Sequence, residues 1–211
     1  MADDLVIVGA GGHGRETLDV VEAMNGAGTA DWNFVGFIDD GEVRADRLDR
    51  RGAEVVAQDE LDPEQVRYVI GIGHPATRES VAERMTLAGF VPASLVHPAA
   101  SLGSDVRMAE GVVLAAGAHV TTNVSLERHS QLNVGAVVSH DCEVGAFVTF
   151  SPGTFLNGEC RVGDRAFFGT GAVVTPRLRI GADAKVGAGA VVLDDVPDGT
   201  TVVGVPARPA S

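Results

Sequence analysis

The sequence predicts two domains of different fold class, a small α/β domain followed by an all-β domain built as a parallel β-helix. From Val96 to about Pro197, large apolar residues recur at every sixth position without a gap, a period typical of parallel β-helices. Before that stretch, short apolar strands alternate with helical segments, which is typical of a small parallel sheet. The predicted boundaries are residues 1–95 for the first domain, 96–197 for the second and 198–211 for a C-terminal tail.

The apolar positions of the period are Leu102, Met108, Leu114, Val120, Leu126, Leu132, Val138, Val144, Phe150, Leu156, Val162, Phe168, Val174, Ile180, Val186 and Val192. Six residues suffice for one short strand and a corner, so three repeats close a triangular coil of eighteen residues that pairs with the next coil. A glycine often follows the apolar residue, and we expect it to supply corner backbone angles that other residues avoid. The period alone leaves the hand of the coil open, although right-handed crossovers are the general rule.

The first domain begins with a strand, Leu5 to Val8, that leads through a glycine-rich loop into a helix. Its remaining expected elements are strands at Phe34 to Ile38 and Arg67 to Ile72 and helices at Glu16 to Met24 and Thr77 to Ala88. The polar segments Asn25 to Asn33 and Gly41 to Pro63 are predicted to be loops. The tail is predicted to leave the repeat and to cover the last coil or a neighbouring subunit.

The composition excludes some function classes. The 211 residues carry a formal charge of −13, which argues against a nucleic-acid partner that needs a basic face. The chain has no apolar run of membrane-spanning length and no basic-then-apolar leader, so we expect a cytoplasmic protein without a membrane partner. Its two cysteines, Cys142 and Cys160, occupy the same inward position eighteen residues apart, which predicts a stacked, buried and reduced pair.

The segment Gly9-x-Gly11-x-x-Gly14 matches the dinucleotide fingerprint between a strand and a helix, and Asp39 and Asp40 close the next strand. Three interpretations remain: a redox NAD site, a plain tight turn, or a site for the single nucleotide of a nucleotide-sugar. We favour the last, because about 95 residues provide only half of a doubly wound fold. His13 in this loop suits contact with a phosphate or with an acceptor group, or plain solvation.

Among the six histidines, only His140 has a neighbour that suggests chemistry. It lies two residues after the apolar Val138, so it should face outward near a corner, with Asp141 beside it and Asn133 on the preceding face. A neutral imidazole suits the removal of a proton from an attacking amine or hydroxyl, and a carboxylate on its other nitrogen raises its basicity. The alternative is an exposed His-Asp pair at a turn.

The whole chain resembles the hexapeptide-repeat sugar acyltransferases, which include sialic acid O-acetyltransferases and the N-acetyltransferases of UDP-4-amino-sugars in the bacillosamine pathway. The stretches that carry the resemblance are Val8 to Gly14, Gly36 to Asp40, Gly71 to Gly73 with Arg78, Val138 to Cys142, Ser151 to Gly153 and Val203 to Arg208. The resemblance implies a left-handed β-helix and a homotrimer, with acetyl-CoA in the groove between adjacent subunits.

The resemblance also implies a role for each matching residue. His140 is the expected base and Asp141 its partner, and Asn133 contacts the acceptor. The nucleotide-sugar is expected to bind at Gly11, Gly12, His13, Asp39, Asp40 and Gly73. The backbone of Thr170 and Ala188, eighteen residues apart and therefore stacked, is expected to meet the pantetheine of acetyl-CoA. No metal is expected.

One position departs from the family pattern. Many relatives carry a second histidine nine residues after the base, where it contacts the thioester side of acetyl-CoA. Here that position is Thr149, so we expect a hydroxyl contact that cannot carry charge.

Three functions follow. The leading one is acetyl-CoA-dependent N-acetylation of a UDP- or dTDP-linked amino-deoxy-sugar. The second is O-acetylation of a sugar such as sialic acid with the same base. The third, a nucleotide-sensing or structural β-helix without turnover, is disfavoured by the His140–Asp141 pair.

Overall fold

A computed structural model describes residues 2–210, so that Met1 and Ser211, the outermost residues of the predicted first domain and tail, lie outside the described residues. The chain forms a small α/β domain that packs on one face of a triangular β-solenoid. Both predicted fold classes are therefore confirmed.

The α/β domain contains one parallel sheet with strand order β2-β1-β3-β4. Its elements are β1 (Asp3–Val8), α1 (Gly12–Gly26), β2 (Trp32–Ile38), α2 (Ala45–Asp49), β3 (Val66–Ile70), α3 (Pro75–Leu87) and β4 (Val91–Pro92), with a 3₁₀ turn at Gln58–Glu60. The central strand β1 is apolar and buried from Leu5 to Val8, as expected for a strand covered on both sides.

Two details of this domain differ from the sequence prediction. The segment Gly41 to Pro63, predicted to be a loop, contains α2, which buries only Leu48 and therefore shows no apolar periodicity. Helix α1 begins at Gly12 instead of Glu16, so the glycine loop itself forms the first helical turn.

The solenoid has three parallel sheets, which we name by their outer surfaces. The docking face, on which the α/β domain packs, consists of Leu95–Val96, Val113–Leu114, Gln131–Leu132, Thr149–Phe150, Phe167–Phe168, Lys185–Val186, Thr201–Val203 and the antiparallel Arg208–Pro209. The apolar face consists of Ser101–Leu102, His119–Val120, Val137–Val138, Phe155–Leu156, Val173–Val174 and Val191–Val192. The charged face consists of Val106–Met108, Val124–Leu126, Glu143–Val144, Arg161–Val162 and Arg179–Ile180.

The eighteen-residue period sets the register, because each strand pairs with the strand one coil later, as Leu132 does with Phe150. Inward side chains stack in columns, so that the rings of Phe150 and Phe168 lie parallel with centroids 4.7 Å apart. Cys142 and Cys160 are buried and free in such a column, as predicted.

The glycines after the apolar residues serve a purpose other than the predicted one. At Gly163 the backbone angle is ordinary, but a Cβ atom would lie 2.5 Å from the backbone nitrogen of Ala182 in the next coil. The left-handed backbone angles occur elsewhere in the corners, at Gly135 with φ +66° and at non-glycine residues such as Asp141 with φ 59°. Close approach of neighbouring coils therefore explains the glycine pattern.

The tail also differs from its prediction, because its first part remains in the solenoid. Thr201–Val203 pairs in parallel with Lys185–Val186, and Arg208–Pro209 then folds back on it as an antiparallel strand. This hairpin covers the end of the docking sheet of the same chain.

Three corners separate the faces and are named by one residue each. The Asn133 corner, residues 133–136 and their equivalents, joins the docking and apolar faces. The His140 corner, residues 139–142 and their equivalents, joins the apolar and charged faces. The Phe147 corner, residues 145–148 and their equivalents, joins the charged and docking faces.

Among residues 2–210, no helix combines the length and the apolar character needed to cross a membrane.

Candidate functional site

The His140 corner holds an exposed imidazole–carboxylate pair. The Nδ1 atom of His140 lies 2.7 Å from Oδ2 of Asp141, and both side chains are about half exposed. Because a carboxylate only accepts hydrogen bonds, Nδ1 carries the proton and the neutral ring presents an unprotonated Nε2. The pair therefore has the electronic arrangement of a general base with a basicity partner.

A third residue of the same corner fixes the carboxylate. Asn123, one coil earlier in the column of Asp141, donates from Nδ2 to Oδ1 of Asp141 over 3.0 Å. The hydrogen bonds from His140 and then Asn123 lower the pKa of Asp141. The two oxygens thus have separate partners, and the carboxylate stays charged beside the imidazole. The role of Asn123 was not predicted, because only the stacking of coils shows that it reaches Asp141.

The ring of His140 rests on a glycine of the next coil. A Cβ atom at Gly158 would lie 2.5 Å from Cε1 and 2.6 Å from Nε2 of that ring. The absence of a side chain at Gly158 therefore provides the space in which the imidazole lies.

The glycine loop at the start of α1 has the geometry expected of an anion site. A Cβ atom at Gly14 would lie 1.7 Å from the carbonyl oxygen of Gly9, so strand and helix pack backbone to backbone there. Gly11 and Gly12 face open space, and no side chain caps the first turn of α1. The amides of this turn suit a phosphate group.

The two aspartates at the end of β2 already have partners within the chain. Asp39 accepts hydrogen bonds from the backbone nitrogens of Ala10 over 2.6 Å and Gly41 over 2.8 Å, so it shapes the glycine loop. Asp40 forms an ion pair with Arg84 of α3. Each carboxylate retains lone pairs that can accept further hydrogen bonds from a ribose or a base.

A cavity of about 220 Å³ lies between α1 and the Asn133 corner. His13 and Asn133 both line it, together with Glu16, Thr17, Asp19, Val20, His97, Val113, Ala115, Ala116, Val134 and Pro152. The amide nitrogen of Asn133 donates to the carbonyl of Phe150 over 2.9 Å, which leaves its side-chain oxygen available. The structure therefore brings together two of the predicted substrate residues from different domains.

The domains are joined by Arg78, a fully buried side chain of α3. Its guanidinium donates to the carbonyls of Ile72, Gly73, His129, Phe147 and Val148 and to the side chains of Gln131 and Thr149. Burial without an acidic partner lowers the pKa of Arg78 to about 9. The family resemblance includes Arg78, but no pattern within α3 predicted that this arginine would be buried between the domains.

The predicted contact of Thr149 with acetyl-CoA is not supported. Thr149 is 1% exposed within the domain interface, where its hydroxyl donates to the carbonyl of Gly73 over 2.7 Å and accepts from Arg78. This threonine is a structural partner of the buried arginine. Gly73 supplies that carbonyl, while its Cα faces open space.

Thr170 and Ala188 are exposed and stacked one coil apart in the Asn133 corner. The backbone nitrogen of Gly189, the residue after Ala188, donates to the carbonyl of Thr170 over 2.8 Å. They continue the column of Val134 and Pro152. The base candidate His140 lies on the other side of the apolar face, at a different corner. One chain therefore does not unite His140 with the cavity of His13 and Asn133.

Within residues 2–210, no group of three or more His, Cys, Asp or Glu side chains has the arrangement of a metal site.

Comparison with known proteins identifies the family. Residues 4–85 match the family model described as the PglD N-terminal domain. The chain is 34% identical over 150 residues to GDP-perosamine N-acetyltransferase of Escherichia coli O157:H7. The aligned stretch covers 69% of this chain and 66% of that enzyme.

Solved structures match over the full length. The acetyltransferase domain of PglB from Neisseria gonorrhoeae FA1090 is 32% identical with a TM-score of 0.88, over 98% of this chain and 99% of that one. PerB from Caulobacter crescentus, solved with CoA and GDP-perosamine, is 34% identical with a TM-score of 0.86. The match covers 100% of this chain and 99% of that one. The chain belongs to the hexapeptide-repeat sugar acetyltransferases. It is therefore an acyltransferase, and its solenoid is the left-handed β-helix of that family.

Proposed function

We propose that this sugar acetyltransferase moves an acetyl group from acetyl-CoA to the amino group of a nucleotide-linked amino-deoxy-sugar. The observation that carries the proposal is the 2.7 Å contact between His140 and Asp141, which leaves Nε2 of an exposed imidazole free to accept a proton. Relatives solved with acetyl-CoA, or with CoA and GDP-perosamine, support both co-substrates.

In this mechanism Nε2 of His140 takes a proton from the acceptor nitrogen as that nitrogen attacks the thioester carbonyl. The new C–N bond forms a tetrahedral intermediate, and its collapse breaks the C–S bond. Asp141 stabilises the imidazolium that His140 carries while the intermediate exists. The proton then passes from His140 to the departing CoA sulfur or to solvent, which restores the neutral base.

The nucleotide is proposed to bind at the α/β domain, with its phosphates at the amides of Gly11 and Gly12. His13, Asp39, Asp40 and Gly73 surround that position at the carboxyl ends of the strands, where open α/β sheets bind ligands. The named substrate of two relatives makes GDP the first nucleotide to test, ahead of the UDP and dTDP expected from the sequence.

The complete site is proposed to form between subunits of a homotrimer. His140 lies at one edge of the apolar face, and Asn133 lies at the other edge. Between them the outward side chains Val137, Phe155, Val173 and Val191 form an apolar stripe, whereas the charged face presents Arg107, Ser125, Glu143, Arg161 and Arg179. Packing of apolar faces around a threefold axis would bring the His140 corner of one chain to the Asn133 corner of the next.

In such a trimer, the exposed backbone column of Thr170 and Ala188 borders the groove that contains His140 of the neighbour. A linear pantetheine along this column would deliver the thioester to that histidine. Asn133 then faces the acceptor sugar from the same corner.

A thiol-release assay tests the proposal. With acetyl-CoA and GDP-, UDP- or dTDP-linked amino-sugars as acceptors, we expect turnover with at least one, and the His140→Ala variant should lose at least 100-fold in kcat while still binding acetyl-CoA. Near-normal turnover by that variant would contradict the base assignment. Turnover with free sialic acid alone would instead support O-acetylation.

A further inference from the structure

Gln131 connects the buried domain interface to the wall of the substrate cavity. It is 1% exposed, on the docking face of the solenoid. Its Nε2 donates to the carbonyl of Ile70 over 2.7 Å, and its Oε1 accepts from Nη1 of Arg78 over 3.1 Å. The same oxygen lies 3.0 Å from Nε2 of His13.

The orientation of the Gln131 amide is fixed by two neighbours with opposite requirements. The carbonyl of Ile70 needs a donor, and the guanidinium of Arg78 needs an acceptor. A flipped amide would set oxygen against oxygen at Ile70 and N–H against N–H at Arg78. The buried interface therefore excludes the flipped form.

This orientation determines the position of the proton on His13. Since Oε1 of Gln131 can only accept, Nε2 of His13 must donate and therefore carries the proton. In the neutral ring, Nδ1 then has a lone pair. Its neighbour is Oε2 of Glu16 at 3.4 Å, an exposed acceptor that cannot satisfy it.

We propose that Gln131, oriented by Arg78, is a positioning residue that presents Nδ1 of His13 as a hydrogen-bond acceptor to the substrate. Nδ1 adjoins Glu16 at the wall of the cavity that Asn133 also lines. The group it binds is then an N–H or O–H donor, which is the acceptor amine or a sugar hydroxyl, and not a phosphate oxygen. The identity of this ligand rests on the proposed function, whereas the tautomer does not.

The direct test is long-range ¹H–¹⁵N NMR of histidine-labelled protein at neutral pH, with the His13 signals assigned by their loss in His13→Gln. We expect a neutral ring with its proton on Nε2. The Gln131→Met variant retains the side-chain length but has no oxygen in place of Oε1. In this variant we expect a mixture of the two tautomers. A proton on Nδ1, a doubly protonated ring, or an unchanged single tautomer in Gln131→Met would overturn the proposal.

Kinetics provide the second readout. Gln131→Met should raise KM for the nucleotide-sugar about tenfold, the effect of one hydrogen bond, and leave KM for acetyl-CoA unchanged. The matched control is Glu79→Gln, which removes the negative charge from a different contact between the domains, the 3.2 Å ion pair with Arg165. This control should leave the His13 tautomer and both KM values as in the wild type.

The outcomes separate this inference from the proposed function. Equal effects of Gln131→Met on both KM values would mean that Gln131 only supports the fold, and would overturn the proposal. If no nucleotide-sugar is acetylated, the proposed function fails, but the NMR result still decides whether Gln131 sets the tautomer of His13.

Discussion

The imidazole of His140 is held by residues from three consecutive coils. Asn123 in the earlier coil holds Asp141, Asp141 holds Nδ1 of the ring, and Gly158 in the later coil leaves room for it. Each contact connects positions that are eighteen residues apart or adjacent. The ordinary stacking of the solenoid thus orients an exposed side chain that would otherwise sample several rotamers.

Gly158→Ala tests whether this arrangement positions the base. Gly158 has an ordinary φ, so alanine suits the backbone, but its Cβ would displace the imidazole of His140. We expect kcat to fall about 10- to 100-fold with little change in melting temperature, because a displaced base loses its alignment with the acceptor proton. Steady-state kinetics and thermal unfolding would measure the two effects.

The matched control for that substitution is Gly26→Ala, at the end of α1, where a Cβ atom meets nothing within 4 Å. It should leave kcat unchanged. A Gly158→Ala enzyme with wild-type kcat would show that the position of the His140 ring does not limit the reaction.

At this scale the sequence predicted local relationships and missed distant ones. His140 and Asp141 are adjacent, so their pairing was expected from the sequence. Arg78 and Gln131 meet only after two domains dock, and no local pattern predicted their contact, although Arg78 is part of the family resemblance. For the same reason the sequence did not predict that the α/β domain covers Thr149, a position at which we expected a contact with acetyl-CoA.

At the scale of elements, the docking of α3 and β3 on the solenoid buries a histidine that does not take part in the proposed chemistry. His129 is 3% exposed, and its ring stacks on Phe147 with centroids 5.3 Å apart and lies 6.0 Å from the ring of Tyr68. Burial and then the charges of Arg78 and Arg128 lower the pKa of His129 from 6.5 to about 4. Its Nδ1 has no hydrogen-bond partner among the described residues.

Acid should therefore weaken the folded protein through His129. Between pH 6.5 and about 4 the unfolded chain binds a proton that the folded chain refuses, so stability falls as pH falls through this window. The loss is at most on the order of 3 kcal/mol for a shift of this size. Thermal unfolding as a function of pH would measure it.

His129→Asn provides the comparison, because asparagine tolerates the φ of 55° at this position. The variant should be less stable at neutral pH, since it loses the stacking, but its stability should depend less on pH across the window. His119→Asn, at an exposed histidine, is the control. Equal pH dependence in His129→Asn and the wild type would rule out this role.

The elements themselves were largely predictable from the sequence. The six-residue period predicted the successive coils, because the large inward residue of each repeat faces the same narrow core and is apolar. The exceptions depend on weaker signals. Helix α2 buries one residue, and the glycines after the apolar positions are required by the next coil rather than by their own backbone angles.

At the scale of the whole molecule, the central feature is the distance between the parts of the proposed site. His140 and its partners lie at one corner of the solenoid, while His13, Asn133 and the glycine loop lie toward another. The apolar face separates the two corners. In the proposed trimer, each chain would contribute one half to each of two sites, and a working site would need a neighbouring copy.

This arrangement predicts that two impaired variants restore each other when the nucleotide-sugar is kept well below its KM in the His13 variant. His140→Ala supplies an intact cavity, and His13→Ala supplies an intact base. Trimers assembled from an equal mixture of the two chains, by co-expression with different tags, should regain about a quarter of wild-type activity, because a quarter of the interfaces combine the two intact halves.

Complementation of this kind is the most direct test of the account. Thiol release from acetyl-CoA in the purified mixed trimers should rise well above that of either variant alone. Mixed trimers that remain as inactive as the separate variants would contradict an acetyl-transfer site shared between subunits.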